Sequence, residues 1–213
     1  AEFVGWYNGH PDYVNLEPNL NTENVVVIGN GNVAIDIVRV LSKTSEEMLD
    51  SDIPEYALNS INKSPIKNLY MVGRRGPIEA KFTNVELREM GNLKNCLPIV
   101  NIDLPNKLEG DYSERDQRLI EKNLETLKSF SLIEKENKEK KLNFNFFQKP
   151  IEIIGNDKVE SIKFEKTKLE GTKLKSTGEV TEINCGLIIT AIGYKPKEIP
   201  GLKITGGVIE NEN

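Results

Sequence analysis

The chain has 213 residues, 38% of them hydrophobic and 29% charged, a length and balance that suit one soluble domain burying roughly 70% of its unfolded surface. A formal net charge of −5 excludes global attraction to nucleic acid or an acidic membrane, so any anion site must be a local basic patch. Two cysteines without CxxC or metal spacing, and a single histidine, His10, argue against a disulfide framework and a histidine-based metal or triad site, and lead us to expect free thiols.

No stretch has the length and apolarity of a membrane span, and the N-terminus lacks the basic start and apolar block of a signal peptide. There is no starting methionine, and "GGVIENEN" gives no evident structural close, so the chain reads as a piece of a longer protein.

The first clear element is "NVVVIGNGNVAIDIVRVLSK" at 24–43. Residues 25–28 form an unbroken β-branched run, as in a strand buried on both faces. An Asn-Gly pair between apolar runs would ordinarily signal a hairpin. After Asn32, however, Asp36, Arg39 and Lys43 recur at steps of three and four and leave a broad apolar face, which is a helical period. Strand, tight glycine loop and helix therefore follow one another. A short helix is expected at 54–62 and a second buried strand at 68–72, completing a βαβ unit. Residues 83–90 read as helical with Thr83 and Glu86 at capping-box spacing, and 113–130 as a long polar amphipathic helix. "NKEKK" at 137–141 is expected to be a solvated turn. Thereafter short strands are expected in "LNFNFFQ" at 142–148, "VESIKFEKTKLEG" at 159–171, "EVTEINC" at 179–185 and "GLIITAIGY" at 186–194. The middle pieces alternate as in a meander with one wet face, and the last returns to an unbroken apolar run. The fold class expected is α/β, a Rossmann-like parallel sheet flanked by helices with an inserted antiparallel β-meander.

Gly29-Asn30-Gly31-Asn32-Val33-Ala34 fits G-x-G-x-x-G/A between strand and helix. The first glycine permits the turn, the second admits a pyrophosphate to the backbone, and the small third residue lets helix pack on strand. The second strand ends in Gly73-Arg74-Arg75. A carboxylate at this place would bond the free ribose hydroxyls of NAD or FAD, and none is present. Two guanidinium groups instead match a dianionic 2′-phosphate, each charge-assisted contact giving about ten- to a hundredfold preference. Elsewhere an Arg-Arg pair would read as solvated surface; its place after the strand favours NADP(H).

"EFVGWYNG" at 2–9, "VVVIGNGNVAIDIVRVL" at 25–41, "VGRRGPIEAKFTNVELREM" at 72–90 and "STGEVTEINCGLIITAIGYKP" at 176–196 resemble, in order and wording, the adrenodoxin reductase family. The resemblance covers nearly the whole chain and is weakest over 94–141. It implies the NADP-binding domain of a flavoprotein with two dinucleotide-binding domains, in which NADPH gives hydride to FAD and single electrons pass to an iron-sulfur ferredoxin. It further implies NADP contacts at Gly29, Asn30, Gly31, Asn32 and Val33, at Arg74 and Arg75, and at Glu86, which by physics alone is a first-turn helix glutamate. The expected organisation is one NADP-binding domain over 1–213, with 1–23 connecting from an FAD domain of the same polypeptide and 191–213 returning to it. "AIGYKP" at 191–196 would begin that return. The family setting is mitochondrial, although no targeting segment supports it.

Two departures accompany the resemblance. The flavin-binding half falls outside the chain, so FAD is expected only in the full-length protein. The family docks its ferredoxin partly through basic residues placed here around 114–118, where Arg115 and Arg118 are mixed with Glu114 and Asp116. A shortage of acid–base residues and the absence of a G-x-S-x-G motif fit hydride transfer, whose reactive atoms belong to the cofactors. An alternative reading is a non-catalytic NADP(H)-binding redox sensor or scaffold module. A free-standing dehydrogenase ranks last, for want of a substrate-site acid or base.

Overall fold

The structure is a computed structural model that describes residues 1–108, 110–135, 138–193, 200–205 and 208–209. After helix α1 (Glu2–Tyr7) comes strand β1 (Asn24–Ile28), whose Val25, Val26 and Val27 are fully inaccessible, as an unbroken apolar run in a doubly covered strand should be. Helix α2 (Asn32–Ser42) starts after the glycine loop and buries Ala34, Ile35, Ile37, Val38 and Leu41. Helix α3 (Glu55–Asn62), strand β2 (Asn68–Val72), helix α4 (Asn84–Glu89), strand β3 (Cys96–Val100), helix α5 (Glu114–Ser129) and strand β4 (Lys140–Asn145) follow. An antiparallel meander of β5 (Gln148–Ile154), β6 (Ser161–Glu170) and β7 (Lys173–Asn184) precedes β8 (Leu187–Thr190) and a short pair, β9 (Ile204–Thr205) and β10 (Val208–Ile209).

Five strands form one parallel sheet in the order β3-β4-β2-β1-β8. Strand alternation divides its side chains between two cores. Val25 and Val27, Leu69 and Met71, Leu142 and Phe144 face the helices and join the larger cluster with Trp6, Ile37, Leu87 and Leu127. Val26 and Val72, with Ile28, Tyr70 and Ile188, face the meander and meet Ile162, Phe164 and Cys185. The meander thus covers the sheet face that helices do not. β1 has β2 on one side and β8 on the other, so the strand order reverses there, and the crevice beyond the C-terminal ends of β1 and β8 is where a doubly wound sheet takes a ligand.

The expected α/β class and meander are observed. Several local expectations are corrected. Residues 1–23 hold helix α1, unassigned in sequence, whose Phe3, Trp6 and Tyr7 are buried. Edge strand β3 was unassigned too: Pro98 in "CLPIV" is poor strand chemistry except at an edge, which is where it sits. The expected turn at 137–141 ends sooner, because Lys140 and Lys141 pair with Cys96 and Leu97 and begin β4; Asn137 lies outside the described residues. "LNFNFFQ" is not one strand. β4 ends at Asn145, Phe147 takes φ 56°, and Gln148 starts β5 in another sheet. β7 begins at Lys173, earlier than expected, and its outer face is exposed. Of the expected return connection, residues 194–199, 206–207 and 210–213 lie outside the described residues.

Candidate functional site

Ile28 and Val72 are register partners, so β1 and β2 end level and their following loops emerge side by side. The Gly29 N–H donates to Val72 O at 2.8 Å. Gly29 has φ 146°, and a Cβ there would lie 2.3 Å from Ala191 O at the end of β8. This position therefore requires glycine for the fold itself. Gly31 is different. It is the extended N-cap of α2, and a Cβ added to it would meet only the Lys81 Cβ, at 3.9 Å. Chain neighbours apart, no other atom of the described residues comes within 4 Å of that position, and no side chain caps the N-terminus of α2. An open cradle before uncapped helix N–H groups suits a phosphate.

Asn30 lies over the second loop: its Nδ2 would be 1.8 Å from a Cβ on Gly73. Its Oδ1 is buried without a hydrogen-bond partner, and its carbonyl accepts the Lys81 N–H at 2.7 Å. Asn32, first residue of α2, accepts the Thr83 N–H on Oδ1 at 2.7 Å and so ties the glycine loop to the start of α4. Thr83 is the N-cap of α4, yet its hydroxyl makes no capping bond, so the expected capping box with Glu86 does not form. Val33 is half-buried and packs against the larger core.

The backbone of the arginine loop is tied down at each residue from Gly73 to Gly76 by at least one hydrogen bond. Gly73 donates to Asn145 O at 2.9 Å and accepts from the Gln148 N–H at 3.0 Å. Arg74 O accepts the Thr167 hydroxyl at 2.7 Å, Arg75 O accepts the Phe147 N–H at 3.1 Å, and the Gly76 N–H donates to Glu79 Oε2 at 3.0 Å. The Phe147 ring fills the place of a Gly76 side chain. By contrast both arginine side chains are exposed, and neither guanidinium has an ion pair or hydrogen bond among the described residues. Thr167, Phe147 and Gln148 were not found from sequence. Their part depends on the meander folding back over the second loop, which no local pattern announces.

Glu86, in the first turn of α4, has Oε2 buried and unpartnered. It stands near Asp36 on α2, whose carboxyl is raised above its ordinary range by burial, with Glu86 and Glu89 adding to the rise and Arg39 opposing it. Arg39 bonds Asp36 at 2.7 Å and also bonds Glu89, holding α2 to α4. The structure thus groups Gly29 to Val33 with Arg74 and Arg75 directly, and brings in Glu86 through the Asn32–Thr83 link. Among the described residues there is no metal-ligating cluster and no helix long and apolar enough to cross a membrane.

An NADP(H) molecule fits what the residues offer: an open glycine cradle, orphaned buried oxygens on Asn30 and Glu86, and two unpaired cations on a fixed backbone. No protein-family model matches the chain. It is 36% identical over 227 residues to the mitochondrial NADPH:adrenodoxin oxidoreductase of Arabidopsis thaliana, covering 99% of this chain and 47% of that protein. It is 35% identical over 210 residues to the NADPH-ferredoxin reductase FprA of Mycobacterium tuberculosis, covering 95% of this chain and 45% of that one. The solved structure of Mycobacterium tuberculosis FprA in complex with NADPH superposes with TM-score 0.86 at 33% identity, over 99% of this chain and 48% of the other. The chain spans about half the length of the curated relatives it matches. With one-third identity along nearly its whole length and the same fold, the chain is similar to about half of these NADPH-dependent adrenodoxin and ferredoxin reductases.

Proposed function

We propose that this chain is the NADP(H)-binding domain, over 1–213, of a reductase that passes electrons from NADPH through FAD to an iron-sulfur ferredoxin. Nicotinamide and flavin supply the hydride and electron chemistry when bound. The chain's own residues bind and orient. Gly31 and the first N–H groups of α2 receive the diphosphate, and Asn30 and Asn32 shape the cradle. Arg74 and Arg75 take the 2′-phosphate, and Glu86 offers an unpaired carboxylate oxygen as an acceptor. The observation that carries this reading is the contrast at Arg74 and Arg75, where both backbone carbonyls are held by Thr167 and Phe147 and both guanidinium groups are left unused.

The ferredoxin is supported by FprA and the Arabidopsis enzyme, which are NADPH-dependent reductases of ferredoxin and adrenodoxin, and the FAD domain by the sequence resemblance to their family. Residues 114–118 add little to partner docking, because Arg118 pairs with Glu114 at 3.4 Å on an exposed helix face. A mitochondrial location is supported by the plant and animal relatives alone; bacterial FprA is as similar.

Calorimetric titration with NADP+ and NAD+ tests the reading. NADP+ should bind at least about tenfold tighter, and Arg74→Ala with Arg75→Ala should bring the two together. Equal affinities in the wild type, unchanged by the double substitution, would remove the phosphate assignment.

A further inference from the structure

Lys81 lies between the two features already described and belongs to neither. Its backbone forms an isolated parallel bridge with Gly31, and its N–H donates to Asn30 O at 2.7 Å. These contacts hold residue 81 beside the glycine loop, independently of what its side chain does. Chain neighbours apart, the Lys81 Cβ is the single atom of the described residues within 4 Å of the position a Gly31 Cβ would take. The lysine side chain therefore rises from the rim of the very space that Gly31 leaves open. It is exposed, and its ammonium has no ion pair or hydrogen bond among the described residues.

We infer that Lys81 is a third cationic contact for the dinucleotide, directed at the diphosphate rather than at the 2′-phosphate. This rests on the NADP(H) reading above and adds a division of labour to it. A lysine stem spans about 5 Å from Cβ to Nζ, enough to carry the ammonium from the rim to an oxygen of a diphosphate seated on the loop. Arg74 and Arg75 follow β2 and would discriminate between cofactors, because only one cofactor has the extra phosphate. Lys81 faces a group common to both, so it would strengthen binding without choosing. An ammonium suits that role, being a compact charge with rotatable donors, because a diphosphate offers oxygens in several directions.

The test measures binding of NADP+ and of adenosine 2′-monophosphate, which keeps the 2′-phosphate and lacks the diphosphate, by calorimetry at fixed ionic strength. Lys81→Gln should weaken NADP+ about tenfold, leave adenosine 2′-monophosphate unchanged, and flatten the salt dependence of NADP+ binding; Lys81→Arg should restore most of the loss. The double substitution of Arg74 and Arg75 should weaken both ligands. Because the Lys81 contacts to the loop are backbone bonds, each Lys81 variant keeps them and should melt with the wild type. Unchanged NADP+ affinity in Lys81→Gln would overturn the inference while the dinucleotide reading stood. So would equal losses for both ligands, which would move the lysine to the 2′-phosphate. A wild type that binds neither ligand would overturn both readings.

Discussion

The carboxamide of Asn30 occupies the place that a side chain on Gly73 would need, with Nδ2 1.8 Å from that Cβ position. Thus the loop after β1 rests on the backbone that leads into Arg74 and Arg75. Gly73→Ala should displace Asn30 without unfolding the protein, since the obstructing atom ends a movable side chain. We expect a stability loss under about 1 kcal/mol in thermal denaturation and a clear loss of NADP+ affinity by calorimetry. A variant that binds NADP+ as the wild type does would show that the placement of Asn30 is irrelevant to the cofactor.

The two glycines of the first loop should separate cleanly. Gly29 has φ 146° and faces the Ala191 carbonyl. Gly29→Ala should therefore cost about 3 kcal/mol, a fall of roughly 6–12 °C in midpoint. Gly31 has φ −126°, and its Cβ position is free of close contacts. Gly31→Ala should leave the midpoint within about 2 °C and still abolish most NADP+ binding. Equal melting losses in the two variants would contradict this assignment of structural and ligand-facing roles.

That separation also shows what sequence could reveal. The strand–loop–helix around Gly29 was legible because two periods meet there, a β-branched run and then a 3.6-residue repeat. The arginine pair was legible because it directly follows a second strand. The support beneath it was not, since Thr167 and Gln148 reach Arg74 and Gly73 across long sequence separations. Phe147 turns the chain with φ 56° in the middle of an apolar run, and its type gives no warning of that. β3 and α1 escaped notice for a related reason: a proline on an edge and a six-residue helix are set by the packing around them rather than by local period.

Capping at α4 gives a third prediction. Thr83 and Glu86 have capping-box spacing, but the bond at this terminus comes from elsewhere: Asn32 Oδ1 accepts the Thr83 N–H. Thr83→Ala should be nearly silent, within about 0.5 kcal/mol, where an N-cap threonine ordinarily gives about 1. Asn32→Ala leaves that N–H unpaired and unfastens α4 from the glycine loop, so it should cost about 1 kcal/mol. Chemical denaturation of both variants decides the matter; a larger loss for Thr83→Ala would restore the hydroxyl cap.

The cysteines supply a pH-dependent prediction. Cys96 and Cys185 are free and buried, and burial pushes the Cys185 thiol up to about 11. Burial raises the Cys96 thiol also, against smaller opposing effects from Ser42, Lys140 and Lys138. An unfolded cysteine titrates near 8.5, roughly. Above that pH the unfolded chain releases a proton that folded Cys185 retains, so high pH favours unfolding. The contribution is whole below about pH 8.5 and declines until the folded thiol itself titrates near 11. Stability of the wild type relative to Cys185→Ala should accordingly fall as pH rises from about 8.5 to 10, by up to about 1.4 kcal/mol per unit. At pH near 7.5, iodoacetamide should label neither thiol until denaturant is added, because the thiolate is the reacting form. Labelling of folded Cys185 at the rate of a free thiol, or a stability difference flat across this window, would show that β7 and the sheet do not seal it.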